Sequence, residues 1–139
     1  MYKKILLATD GSEHSLRTTE HAIHLAQSTE GSKIEVVYVK DSGSVKANTL
    51  NNWNKIGITD VQRDKLTHVE TTLGDSNIQF EIKVLTGEPG PTIVNYANKN
   101  NFDLVIVGSR GLNGLQELVL GRVSHKVAKR ADCPVLIVK

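Results

Sequence analysis

Little in this chain cross-links it, spans a membrane or charges it. One cysteine, Cys133, among 139 residues excludes an internal disulfide and points to a reducing compartment. No apolar run approaches the ~20 residues of a membrane-crossing helix. Met1-Tyr2-Lys3-Lys4 runs directly into a strand pattern, without the apolar segment and cleavage site of a secretory leader. The expectation is a cytoplasmic protein with no membrane partner. Neither sign of charge dominates: 17 basic and 15 acidic side chains leave a formal charge of +2, too balanced to suggest nucleic acid as a partner. The length suits one domain over residues 1–139 with a core of its own.

What the chain has is alternation. Ile5-Leu6-Leu7-Ala8 is apolar on both faces, as a central parallel strand must be. Thr9-Asp10-Gly11-Ser12 ends it, with Ser12 as a candidate N-cap, and Leu16, Ala22, Ile23 and Ala26 mark a helix closed by Glu30-Gly31-Ser32. A second strand runs from Ile34 to Val39, followed by a polar loop from Lys40 to about Asn52 that is longer than most connections. Ile58, Val61, Leu66, Val69 and Leu73 give the next helix, stopping near Gly74-Asp75. Phe80 to Leu85 alternates apolar with charged, the mark of a half-exposed edge strand. Pro91 suits the first position of a helix that turns Ile93, Val94 and Ala97 inward and finishes over Asn98 to Asn101. A buried strand, Leu104 to Val107, then a helix with Val123, Val127, Ala128 and Ala131 at helical spacing, then the strand Val135 to Val138 complete the chain. The pattern βαβαβαβαβ implies an α/β fold, a five-stranded parallel sheet with helices on both faces; the expectation is that it is doubly wound, with the order 3-2-1-4-5.

In that order the winding reverses between the first and fourth strands, and a crevice opens at their carboxyl ends. Those ends are Thr9-Asp10-Gly11 and Gly108-Ser109-Arg110-Gly111, the two most glycine-marked loops. Nine residues separate Gly111 from Gly121, where the last helix begins. Glycines between a strand and a helix N-terminus expose backbone N–H groups to an anion and let a phosphate approach the main chain. Here the Gly108 to Ser124 segment is expected to wrap phosphates, Asp10 to accept hydrogen bonds from a ribose, and Val39 to flank a base. For Asp10, an Asx turn or a capping role beside Ser12 is the alternative. The last strand lies at a sheet edge, yet Val135 to Val138 carries no charge or internal proline to protect it. That predicts a homodimer in which two such strands meet.

The Lys4-Ile5-Leu6-Leu7-Ala8-Thr9-Asp10-Gly11-Ser12 opening, Gly108-x-x-Gly111 followed after nine residues by Gly121, and the terminal Cys133-Pro134-Val135-Leu136-Ile137-Val138 together resemble the universal stress protein family over essentially the whole chain. The resemblance to its ATP-binding branch implies a dimer formed through the last strand and a regulatory or protective role in stress. It also implies ATP as ligand, with ADP or AMP as alternatives and Mg²⁺ brought by the phosphates. It places Ala8, Thr9, Val39 and Val107 around the adenine and Asp10 on the ribose and adenine side. Gly108, Ser109, Arg110, Gly111, Gly121, Val123 and Ser124 fall in the phosphate loop. Arg122 departs from the pattern, standing where the family has serine or threonine. Its guanidinium either pairs with phosphate oxygens or points into solvent, and Ser124 replaces only part of the missing hydroxyl.

Two further functions stand beside nucleotide-dependent regulation. A dimeric scaffold that has lost the nucleotide draws its support from Arg122. An adenylyl-transfer enzyme would need a second set of phosphate-handling residues, which Thr9-Asp10-Gly11-Ser12 and His21-Ala22-Ile23-His24 do not supply, and at most slow hydrolysis is expected. His14 and His125 lie near the two loops. His21 and His24 read as surface residues rather than metal ligands. Cys133 reads as a buried, inert thiol, and Trp53 as a cover for the ligand or for the second helix.

Overall fold

A computed structural model describes residues 1–11, 13–40, 60–109 and 121–139. Five strands alternate with four helices: β1 (Lys4–Thr9), α1 (Glu13–Gln27), β2 (Lys33–Lys40), α2 (Asp60–Gly74), β3 (Gln79–Thr86), α3 (Pro89–Lys99), β4 (Leu104–Gly108), α4 (Arg122–Arg130) and β5 (Val135–Val138). The sheet order is β3-β2-β1-β4-β5 and every pair is parallel, as the alternating pattern requires.

Two apolar layers hold the sheet. On one face Ile5 and Leu7, Ile34 and Val36, Leu104 and Ile106, and Val138 pack with Ala22 and Ala26 of α1 and Val69 and Leu73 of α2. On the other, Leu6, Val37, Val105 and Val107 pack with Ile93, Val94 and Ala97 of α3 and Val127 of α4. The central strands thus bury side chains in both directions, which is why their sequence is continuously apolar rather than alternating. β3 lies at one edge with Glu81 exposed and paired to Lys33 at 3.0 Å, the solvated border that its alternation predicts.

Several boundaries differ from the sequence expectation. α1 ends at Gln27, and Gly31 at φ +81° makes the turn into β2. α3 begins at Pro89 rather than Pro91, with Glu88 at the N-cap. The first-turn amides of a helix have no intrahelical acceptor, so both prolines fit there without losing a bond. Ala128 is exposed, and Ser124 takes the inward position on α4 beside Val127. The expected Ser12 cap, the 41–59 stretch with Trp53 and Ile58, and residues 110–120 lie outside the described residues. Among those described, no helix is long and apolar enough to cross a membrane.

Candidate functional site at the sheet switch point

β1 and β4 are neighbours, with Ile5 beside Leu104, Leu6 beside Val105 and Leu7 beside Ile106. Both end within three residues of that register, at Thr9 and Gly108. α1 departs towards one face and α4 returns on the other, so the winding reverses at this seam. A parallel sheet with such a reversal leaves a crevice at the strands' carboxyl ends.

The β1 end is set by a tight turn. The Gly11 N–H donates to Thr9 Oγ1 at 3.2 Å, and Gly11 sits at φ +75°, a conformation that side chains with a Cβ rarely adopt. Thr9 contributes to this turn, and Asp10 beside it is half-buried. Ala8, Val39, Val107 and Val123 come together in one apolar cluster on the α3/α4 face. Thus three strands and the first turn of α4 contribute to one apolar shelf.

Across the seam, α4 opens at Gly121, whose extended backbone (φ −61°, ψ 156°) carries no side-chain cap. The first intrahelical bond runs from the His125 N–H to the Gly121 carbonyl at 2.9 Å, leaving the preceding amides at the positive end of the helix dipole. Ser124 is buried and its hydroxyl donates to the Gly121 carbonyl at 3.0 Å, so that proton holds the helix start together. Arg122 is exposed, and no acidic residue shares the first turn. Ser109 donates its amide to the Val138 carbonyl at 2.8 Å. That amide belongs to the sheet rather than to the loop. Arg110 and Gly111 lie outside the described residues.

The remaining candidates separate from the crevice. His14 is tied to β5, its Nε2 2.9 Å from the Val138 carbonyl. His125, His21 and His24 are exposed, and among the described residues no three His, Cys, Asp or Glu side chains gather as a metal site would need. Cys133 is half-buried rather than fully buried; burial, with Asp103 and Asp132 nearby, pushes its thiol above the ordinary value.

One polar cluster went unread in the sequence. Glu35, buried on the third residue of β2, accepts a hydrogen bond from the Tyr96 hydroxyl and pairs with Lys83 at 3.0 Å. The Lys83 ammonium also lies over the Tyr96 ring, 5.5 Å from its centroid. Burial pushes the Glu35 carboxyl up, but Tyr96 and then Lys83 outweigh it and hold the group below its ordinary value. Tyr96 and Glu35 in turn raise Lys83. A lone carboxylate inside Ile34-Glu35-Val36-Val37 is the signal that such a partner exists. The cluster sits at the amino end of the sheet, opposite the crevice.

Comparison with known proteins decides the family. The model of the universal stress protein family matches residues 1–139. The chain belongs to the universal stress protein family. Universal stress protein MJ0531 of Methanocaldococcus jannaschii is 34% identical, over 100% of this chain and 83% of that protein. The solved structure of MJ0577 from the same organism superposes with a TM-score of 0.83 at 30% identity, covering 100% of this chain and 96% of that one. A universal stress protein solved in complex with cAMP superposes at 0.72 with 25% identity, covering 99% of this chain and 96% of that one. The fold of this universal stress protein is therefore that of its relatives throughout the described sheet.

Proposed function

We propose that this universal stress protein binds an adenine nucleotide, with ATP as the principal ligand and ADP or AMP as alternatives, and acts as a regulatory homodimer. The observation that carries the reading is the apolar shelf of Ala8, Val39, Val107 and Val123 beside the uncapped start of α4. A purine ring is apolar on its faces and its phosphates are anionic, and these two surfaces adjoin at the seam. Asp10 is assigned to the ribose, and Gly108, Ser109, Arg110, Gly111, Gly121, Arg122, Val123 and Ser124 to the phosphate side. A relative solved with cAMP supports an adenine ligand. Mg²⁺ is proposed only as an ion carried by the phosphates.

Arg122 strengthens the reading. A cation at the first position of a helix is disfavoured by the dipole, and an anion bound there reverses the sign. Charge-assisted bonds to phosphate oxygens then stand in for the serine or threonine hydroxyl of the family pattern.

The dimer is assigned to β5. The carbonyl of Pro134, just before β5, accepts from Val105 of β4, and that of Val138 accepts from Ser109, just after β4, so by alternation Val135 and Ile137 direct their backbone groups outwards. Among the described residues β5 pairs only with β4. An apolar edge of this kind suits a second copy better than water.

The test is heat denaturation of the purified protein with assay of the supernatant for released nucleotide, together with thermal melts in Mg-ATP. At ligand one hundred times the dissociation constant, binding adds about 2.7 kcal/mol to stability. Gly121→Val should fold and lose that gain, because a branched Cβ intrudes where the phosphate approaches. The absence of both released nucleotide and a shift at millimolar Mg-ATP refutes the reading and favours a scaffold acting through protein contacts.

A further inference from the structure

The Val138 carbonyl, at the end of the edge strand, is a junction. It accepts the Ser109 N–H at 2.8 Å and lies 2.9 Å from His14 Nε2. A carbonyl oxygen has two lone pairs and no proton, so both contacts are donations to it and His14 carries its proton on Nε2. Ser109 begins the connection after β4, and His14 stands in the first turn of α1, three residues after Gly11. The end of β5 is thereby fastened to both walls of the crevice. Val138 is 4% exposed and packs against the α1 face of the sheet, so its carbonyl cannot swing towards solvent to replace either donor.

We propose that His14 is a positioning residue that couples the crevice to the β5 edge: a ligand that fixes the two loops also fixes the outward-facing backbone of Val135 and Ile137, and pairing at that edge fixes the loops. This rests on the ligand and the dimer assigned above. Coupling between two binding events is reciprocal, so nucleotide must tighten the dimer by the factor by which the dimer tightens nucleotide. The His14 hydrogen bond is the side-chain part of this link, and a factor of about 5 is the expected size.

The experiment measures the affinity for Mg-ATP at protein concentrations well below and well above the dimer dissociation constant, in the wild-type chain, His14→Gln and His14→Leu. Glutamine keeps an N–H donor of similar reach, whereas leucine keeps bulk without a donor. Circular dichroism melts establish that each variant folds. The proposal expects the dimer to bind about 5-fold more tightly in the wild type and in His14→Gln. In His14→Leu the ratio falls towards one, with only the Ser109 bond left to carry it, although nucleotide still binds and dimers still form. A purely structural role would lower stability in both variants without singling out that ratio. Retention of the full ratio in His14→Leu overturns the coupling while leaving the function standing, and so does a ratio of one in the wild type. A wild-type chain that binds no Mg-ATP, or stays monomeric at every concentration, overturns the assigned function and the coupling with it.

Discussion

Removing one oxygen atom, in Tyr96→Phe, tests whether the buried carboxylate of β2 is held as the structure indicates. The Glu35 side chain is 7% exposed and Lys83 42%, so solvent screens the ion pair from the Lys83 end. The Tyr96 ring remains in the variant and keeps its contact with Phe102, 5.8 Å between centroids, so packing changes little. A hydrogen bond to a charged group contributes about 1.5–3 kcal/mol; with Lys83 still present, about 2 kcal/mol is expected at pH 7, a midpoint lower by roughly 6 °C. The carboxyl is held below its unfolded value of 4.5. Its contribution is therefore fully present above that value and is lost as pH falls through the lower folded value. The cost of Tyr96→Phe should shrink by about half between pH 7 and a pH low enough to protonate the folded carboxyl, where it accepts only an ordinary hydrogen bond. Urea unfolding of both proteins at the two pH values measures it. A cost under about 0.5 kcal/mol at pH 7, or an equal cost at both pH values, refutes the assignment of charge to Glu35.

Ile137→Pro removes an outward N–H from β5 while leaving the carbonyl bonds of Pro134 and Val138 in place; if the proposed dimer forms through β5, sedimentation should find dimer for the wild type and monomer for the variant at the same micromolar concentration, and an unaltered dimer places the interface elsewhere. Cys133, with its thiol raised by burial and the two nearby aspartates, should react with iodoacetamide at pH 8 at least about 5-fold more slowly than free cysteine, and a rate equal to that of the free amino acid means the thiol is open.

Which strands lie inside the sheet and which at an edge was legible from apolar patterning, and the order 3-2-1-4-5 expected of a doubly wound sheet is the one observed. Continuous apolar runs in β1 and β4 marked strands buried on both faces, and Phe80 to Leu85 betrayed an edge by alternating. Helix ends were less legible. Pro89 and Pro91 are both tolerated in a first turn, so sequence alone does not choose between them. Ala128 matched the helical spacing on α4, but Ser124 occupies the inner face because its hydroxyl finds a carbonyl one turn back. Of the proposed site, Val39 came from its position at the end of β2 and Ala8 and Val107 from the family resemblance; all three side chains lie on one face of neighbouring strands. Contacts between elements distant in sequence left no local trace: His14 on Val138 spans 124 residues and Tyr96 on Glu35 spans 61. Only the isolated carboxylate in an apolar strand hinted at the second.

The two ends of the sheet are fastened by separate sets of contacts. At the amino end, Asp103 Oδ2 accepts the Lys3 and Lys4 amides at 3.1 and 3.0 Å, and Ser32 donates to the Tyr2 carbonyl at 2.8 Å. Lys4 reaches the Asn100 carbonyl and lies over the Phe102 ring. At the carboxyl end, among the described residues, Gly11 donates to Thr9, Ser109 and His14 to Val138, and Ser124 to Gly121. Tyr96, Glu35 and Lys83 share no partner with these carboxyl-end contacts, and substitutions at sites without shared partners act independently. Tyr96→Phe should therefore lower stability without altering ligand affinity, and an affinity for Mg-ATP that falls along with stability would show the two ends to be coupled.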